Sequence, residues 1–273
     1  MREILHFAHG NGFPSPCYRQ LLQPLQGRFD CCYIDRIGHD VHFPVTENWH
    51  FLVDEIISSV QSQASKPVIA VGHSLGGVLS LLAAIEQPAL FKFVILLDSP
   101  ILGQIKSNII RLSKSLGVID RLTPASRTRG RQQHWQNREE VLSYLKSKTL
   151  FKSFTEACLN DYIDYGLQKI DHGYELRFDS DIEYQIYRTI PHVLHQHEGK
   201  LHRPAALIYG RQSTVIDRFD LRYMKKHYGI VNYAINGTHM FPMEHPHAAA
   251  ELIVQAVDAL SKDRVGHDPK RRS

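Results

Sequence analysis

The sequence predicts an α/β fold: a mostly parallel sheet of about six strands covered by helices, with a helical segment inserted after the fourth strand. Two observations support this prediction. Short apolar runs alternate with longer segments whose apolar residues recur every three or four positions, as in strands and crossover helices. About a hundred residues separate the fourth run from the fifth, which is too long for one connection between parallel strands.

The elements follow in chain order. The predicted strands are residues 4–8, 31–34, 67–71, 93–97, 205–209 and 231–235, and the clearest helices are 49–60, 74–86 and 248–260. The long interval then forms a helical cap, residues 101–203, on the side of the sheet where the strand carboxyl ends point. Residues 1–100 and 204–262 form the core, and 263–273 are expected to be a flexible basic tail.

The composition is that of an ordinary globular protein, with 43% hydrophobic and 22% charged residues among 273, which excludes disordered and collagen-like chains. No apolar run approaches the ~20 residues of a membrane-spanning helix, and the first residues do not form an export signal. The four cysteines lack the spacing of a metal or redox site, so we interpret them as buried thiols. We therefore expect a cytoplasmic protein without a transmembrane segment.

The positive charge is concentrated in the predicted cap. The net charge is +4, but residues 101–155 contain eleven Lys/Arg and three Asp/Glu, a local charge of +8. Such a stretch is usually a solvated helical face, and an anionic ligand or a membrane surface is the alternative interpretation.

The candidate nucleophile is Ser74. Residues 72–77 read G-H-S-L-G-G and lie between the apolar run 68–71 and a helical segment. A G-x-S-x-G sequence between a buried strand and a helix forms a sharp turn that projects the serine hydroxyl, while the small glycines avoid a clash. The alternative is a glycine-rich turn that only packs.

A serine hydroxyl needs a general base to become a nucleophile. Among 17 histidines, His239 is favoured because it lies in a loop after the last predicted strand, at the same sheet edge as Ser74. His245 and His247 are close in sequence, but helix capping or packing explains them.

Acyl transfer also needs two backbone N–H donors for the oxyanion. Leu75 follows the nucleophile and supplies one. The loop 9–14, H-G-N-G-F-P, follows the first strand and makes Asn11 the natural second donor.

These motifs together resemble the α/β-hydrolase superfamily, in the branch with an HG-x oxyanion loop and a cap domain. The resemblance rests on residues 9–14, 35–40 (D-R-I-G-H-D), 72–77 and 237–242 (G-T-H-M-F-P), and more weakly on 173–178 with Glu183 and Tyr187. It implies the same nucleophile, base and oxyanion donors. The first strand of this chain corresponds to the family's third, so we expect a sheet that lacks the first two family strands.

The acid that orients the histidine departs from the family pattern. Relatives usually carry Asp three residues after the glycine that ends the penultimate strand, where this chain has Ser213. We favour Asp98, which ends the neighbouring strand ~4.8 Å away and can reach the same histidine. Some family members place the acid there. Asp217 is the rival, with Asp220 behind it, and capping of a turn is the structural alternative for Asp98.

Other groups are weaker candidates. The histidines at 192, 195, 197 and 202 lack a helical pair with a carboxylate, so no metal or other cofactor is predicted. The basic run 127–131 lacks the aromatic residues of a nucleic-acid module.

The sequence therefore predicts a serine hydrolase that cleaves small carboxylic esters through an acyl-enzyme on Ser74, with His239 and Asp98. In the cap, apolar residues among many cations (Leu112, Leu116, Trp135 and Tyr144) are compatible with an acyl chain that has an anionic head. The same triad could serve a thioesterase, an amide or C–C hydrolase or an acyltransferase. A non-catalytic ligand receptor is the alternative from another class. The sequence does not fix the oligomeric state.

Overall fold

Nine strands form in the computed structural model, which describes residues 2–266. They are β1 (Glu3–Ala8), β2 (Phe29–Tyr33), β3 (Val68–His73), β4 (Phe91–Leu97), β5 (His134–Trp135), β6 (Leu167–Ile170), β7 (Gly173–Leu176), β8 (Ala205–Gly210) and β9 (Val231–Ile235).

Six of these strands form one parallel sheet in the order β2-β1-β3-β4-β8-β9. They are the six strands that the apolar runs predict, with ends that differ by at most two residues. The α/β fold class is confirmed. Because all six strands are parallel, their carboxyl ends lie at one edge of the sheet, where loops can bring distant residues together.

Twelve α-helices accompany the strands in the described part of the chain. They are α1 (Arg19–Leu25), α2 (His50–Gln63), α3 (Leu75–Glu86), α4 (Gln104–Ser115), α5 (Ile119–Leu122), α6 (Ala125–Thr128), α7 (Arg138–Ser147), α8 (Glu156–Gly166), α9 (Ser180–Arg188), α10 (Arg218–Tyr228), α11 (Phe241–Glu244) and α12 (Pro246–Gly266). The predicted helices 49–60, 74–86 and 248–260 correspond to α2, α3 and α12. The last helix continues to Gly266, and the rest of the expected tail, 267–273, lies outside the described residues.

The main sheet is buried on both faces, which is why its strands read as continuous apolar runs. Phe7 and Ile95 point into the core under α1 and α12, whereas Ala70 and Leu96 point into the core under α2 and α3, and all four are fully buried. Alternate residues of each strand thus fill opposite layers. This packing on both faces makes the sheet a rigid base for the loops at its carboxyl edge.

The residues between β4 and β8 form a separate layer over that edge. They include α4 to α9, as the helical pattern predicts, and also a small antiparallel sheet in the order β5-β7-β6, which the sequence did not indicate. Its strands have two to four residues, too few for an alternating pattern to stand out. None of the helices in residues 2–266 combines the length and apolar character needed to cross a bilayer.

Polar contacts fasten this insertion to the core. Arg177 Nη2 donates to Asp35 Oδ2 at 2.7 Å, and Arg19 Nε donates to Asp161 Oδ1 at 2.8 Å. Asp161 is fully buried, and its carboxylate also accepts from Gln20 Nε2 at 2.8 Å. The insertion is therefore held in a defined position above the sheet edge.

We expect His6 on β1 to make folding sensitive to acid. His6 is fully buried beside Ser59, and burial lowers its pKa from 6.5 to about 4. Below pH 6.5 His6 is protonated in the unfolded chain, whereas in the folded chain it stays neutral down to about pH 4. Between these pH values, acidification therefore lowers the free energy of unfolding by about 1.4 kcal/mol per pH unit. In His6→Gln, where Gln can still contact Ser59, urea unfolding at pH 7 and pH 5 should show a smaller loss of stability. The same pH dependence in both proteins would mean that His6 is protonated in the fold.

Candidate active site

Ser74 occupies the sharp turn between β3 and α3. Its backbone has φ 52° and ψ −114°, a left-handed conformation that a residue with a side chain rarely adopts. The Ser74 amide donates to the Leu97 carbonyl of β4 at 2.9 Å, and Ser74 itself is half-buried. The strain predicted for the turn is thus present and is held by the adjacent strand.

Glycines around Ser74 allow three backbone segments to meet. A Cβ at Gly76 would lie 2.1 Å from the Ala8 carbonyl oxygen, and one at Gly72 would lie 2.4 Å from the Gly76 backbone. The Gly76 amide donates to the His9 carbonyl at 3.2 Å. Only glycine permits this close approach, which brings the start of α3 against the loop that follows β1.

His239 follows β9 and lies beside Asp98. Its Nδ1 is 2.8 Å from Asp98 Oδ2, and Asp98 is fully buried at the end of β4. A carboxylate only accepts hydrogen bonds, so the proton of the neutral ring is on Nδ1. The other nitrogen, Nε2, is then free to accept a proton, as a general base must.

Two further hydrogen bonds hold the Asp98 carboxylate. The Gly210 amide donates to Oδ1 at 2.9 Å, and the Ser213 hydroxyl donates to Oδ2 at 2.5 Å. Asp98 also has a positive φ of 44°, and its amide donates to Ile208 on β8 at 2.8 Å. Ser213 stands where the resemblance places an acid in relatives. Its contact with Asp98 was not predicted, although its place in the motif drew attention to the position.

The rival carboxylates lie at the start of α10 and do not contact His239. Asp217 is the N-cap of α10, and Lys106 Nζ bonds to Asp217 Oδ2 at 2.9 Å and to Asp220 Oδ2 at 2.6 Å. The hydrogen bond from Lys106, with those from backbone amides, lowers the pKa of Asp217 to about 2. A capping role explains both carboxylates.

The loop 9–14 is fixed from several sides. The Ile37 amide donates to His9 Nε2 at 2.7 Å, and the Asn11 side chain donates to the Glu183 carbonyl of α9 at 3.0 Å. The backbone amides of Asn11 and Leu75 have no hydrogen-bond acceptor within residues 2–266, and both residues line the cavity that Ser74 also lines. Two amides are therefore available for a ligand.

A hydrogen-bonded chain connects this loop to the loop of His239. Burial lowers the pKa of His73 to about 3, so its ring is neutral. His73 Nε2 lies 3.0 Å from the His239 carbonyl, which can only accept, so this nitrogen is the donor. His73 Nδ1 then accepts from the Tyr18 hydroxyl at 2.7 Å, and the Tyr18 oxygen accepts from the Gly10 amide at 3.1 Å. Tyr18 and His73 were not predicted as site residues, because only the fold brings them together.

A cavity of about 920 Å³ lies between the sheet edge and the insertion. Ser74, His239 and Asn11 line it on the core side. Aromatic and aliphatic side chains of the insertion line the other side, among them Trp135, Tyr144, Phe151, Tyr162, Leu167 and Leu176. This volume and lining are typical of a site for a small, largely apolar ligand.

The cavity also contains charged side chains. Arg127, Arg129 and Arg131 line it, and Arg131 Nη2 pairs with Glu183 Oε2 at 2.5 Å. Burial raises the pKa of Glu183, and the charge of Arg131 opposes that effect.

Of the apolar residues that we expected near the substrate, Trp135 and Tyr144 line the cavity, but Leu112 and Leu116 do not. The expectation for those two leucines was wrong because α4 turns them outward, where they are 59% and 66% exposed. In the described part of the chain, no three His, Cys, Asp or Glu side chains are grouped as metal ligands. His192 instead lies 3.3 Å from Glu47.

The comparisons with known proteins agree with this fold. A model of the alpha/beta hydrolase family matches residues 7–252. The uncharacterized hydrolase YugF of Bacillus subtilis (strain 168) is 23% identical over 269 residues, which cover 94% of this chain and 90% of that protein. Human monoglyceride lipase is 27% identical over 139 residues, 44% of this chain and 46% of the lipase.

Solved structures show the same architecture. E-2-(acetamidomethylene)succinate hydrolase superimposes with a TM-score of 0.77 at 21% identity, over 94% of this chain and 91% of that one. The thioesterase domain from the curacin biosynthetic pathway has a TM-score of 0.71 at 18% identity, over 93% and 91%. Fold and comparisons together define a hydrolase with a parallel α/β core. The chain belongs to the alpha/beta hydrolase family.

We expect Gly76→Ala to destabilise the protein by at least about 2 kcal/mol, because its Cβ would meet the Ala8 carbonyl, which cannot move without disturbing β1. Gly27→Ala is the matched control, since a Cβ there makes only an ordinary contact of 3.4 Å with Pro24. Urea unfolding of both variants measures the difference. Equal stabilities would mean that the turn is looser than described.

Proposed function

We propose that the protein is a serine hydrolase that cleaves carboxylic esters through an acyl-enzyme on Ser74. The observation that carries this proposal is the 2.8 Å contact between His239 Nδ1 and Asp98, in a cavity that Ser74 and His239 both line. A base oriented by a buried carboxylate, in the same cavity as a serine in a strained turn, is what nucleophilic catalysis requires.

In the proposed reaction, His239 Nε2 removes the proton of the Ser74 hydroxyl as its oxygen attacks the ester carbonyl. The carbonyl oxygen becomes an oxyanion, which accepts hydrogen bonds from the free amides of Asn11 and Leu75. The protonated His239 then gives its proton to the departing alcohol. Water, deprotonated by the same histidine, attacks the acyl-enzyme and releases the acid and Ser74.

We propose that the insertion, residues 101–203, acts as a cap that selects the substrate. Its apolar side chains suit an acyl chain, and Arg127, Arg129 and Arg131 suit an anionic group. The indole N–H of Trp135 supports this proposal, because it is buried, lines the cavity and has no acceptor in the described chain. An acceptor-rich head such as a carboxylate would satisfy it.

The first test is hydrolysis of p-nitrophenyl esters with short to long acyl chains, each with a neutral or a carboxylate-bearing chain end. We expect turnover by the wild type, preference for the anionic end, and a loss of about 10⁴-fold or more in Ser74→Ala. A fluorophosphonate probe should label Ser74 in the wild type alone. Turnover that survives in Ser74→Ala would overturn the proposed nucleophile, and absence of both turnover and labelling would favour a ligand receptor.

The second test separates the candidate acids. Asp98→Asn should lower kcat by about 10⁴-fold, because an amide favours the wrong tautomer of His239. Asp217→Asn is the matched control and should retain kcat, since Asp217 caps α10 and pairs with Lys106. Circular dichroism confirms folding of both variants. A wild-type kcat in Asp98→Asn would refute the assignment of the acid.

A further inference from the structure

Helix α4 exposes its large aliphatic side chains to solvent and buries small polar ones. Ile105, Ile109, Leu112 and Leu116 are 79%, 53%, 59% and 66% exposed, whereas Ser107 and Ser113 are almost completely buried. Their spacing of four, three and four residues puts the aliphatic side chains in one stripe. A contiguous, solvent-exposed apolar patch is typical of a surface that binds a protein partner or a membrane.

The stripe extends onto neighbouring elements. Leu122 on α5 is 57% exposed, and α5 packs beside α4. Lys106 of α4 pairs with Asp217 and Asp220, which brings the start of α10 next to α4. Seven of the twelve exposed large hydrophobic side chains in the described chain lie in this region, which we name the α4 face: Ile105, Ile109, Leu112, Leu116, Leu122, Val215 and Phe219.

Arginines without a carboxylate partner in residues 2–266 lie on α4 and on the two helices that follow it. Lys106, Lys114 and Arg131 pair with carboxylates of the chain. By contrast, the exposed Arg111, Arg121 and Arg127 form no ion pair with a residue in 2–266. The surface therefore combines an apolar stripe with positive charge that nothing in the described chain neutralises.

The α4 face also borders the mouth of the active-site cavity. Leu122, Val215 and Arg127 are exposed and at the same time line that cavity. A lipid that contacts this face would consequently be next to the entrance.

We infer that the α4 face docks on a bilayer that contains anionic lipids, so that the cavity mouth opens toward the membrane. The apolar stripe would enter the boundary between headgroups and acyl chains, and the arginines would contact lipid phosphates. A second copy of this chain fits less well, because a two-fold interface would bring the unneutralised positive charge of both α4 faces together. Delivery of an acyl ester from the bilayer rests on the proposed function, whereas docking itself does not.

The test is flotation of the full chain with vesicles of phosphatidylcholine mixed with phosphatidylglycerol, compared with phosphatidylcholine alone. The wild type should bind the mixed vesicles. Ile109→Ser/Leu112→Ser should weaken binding by about tenfold for each side chain, and Arg111→Glu/Arg121→Glu should abolish the preference for phosphatidylglycerol. Val231→Ser is the control, because this side chain is 41% exposed at the amino end of β9, at the edge of the sheet opposite the insertion.

The variants leave the cavity intact, since Ile109, Leu112, Arg111 and Arg121 do not line it. Hydrolysis of a short, water-soluble ester should thus be unchanged, and Ser74→Ala should bind vesicles as the wild type does. Binding without hydrolysis would overturn only the proposed function. Failure of the wild type to bind mixed vesicles, or equal binding by the α4 variants, would overturn the docking inference. A dimer that Ile109→Ser/Leu112→Ser dissociates would also overturn it, in favour of a second copy.

Discussion

The close approach of the start of α3 to the end of β1 is the constraint on which the rest of the site depends. Gly76 lies so near Ala8 that no side chain fits between them, and its amide bonds to the His9 carbonyl. Ser74 can adopt its left-handed conformation because this contact and the bond to β4 offset a strain of about 1–3 kcal/mol. The same contact puts the Asn11 and Leu75 amides beside one cavity. The geometry of the turn thus sets the positions of the hydroxyl and of both free amides.

Buried neutral histidines connect the loops of the site to one another through hydrogen bonds. His73 accepts from Tyr18 and donates to the His239 carbonyl, so one ring joins the loop after β1 to the loop after β9. His9 is likewise fully buried, and burial lowers its pKa to about 4. A neutral imidazole has one donor and one acceptor, so each ring can connect two loops with a fixed direction. The insertion also helps to position the loop after β1, because the Glu183 carbonyl accepts a hydrogen bond from the Asn11 side chain.

The sequence was sufficient for features that local pattern or motif encodes. The six strands, the turn at Ser74 and the placement of Asp98 beside His239 follow from apolar runs and from the sheet edge that these runs imply. Contacts between residues far apart in the chain were not accessible. Tyr18 and His73 are 55 positions apart, and nothing in either segment indicates the other. The outward turn of Leu112 and Leu116 was missed for a related reason: periodicity shows that a helix has an apolar face, but not which side faces the protein.

The contact between Ser213 and Asp98 limits which residues positions 98 and 213 can hold together. The hydroxyl at 213 lies 2.5 Å from the carboxylate, so an acid at that position would occupy the surroundings of the same histidine. Two carboxylates this close would share a proton, and the ring would be held by a less basic partner. An acid at position 213 and an acid at position 98 would therefore compete for the same ring, so only one of them can serve His239 well. In this chain the small hydroxyl of Ser213 instead supports the acid on the neighbouring strand.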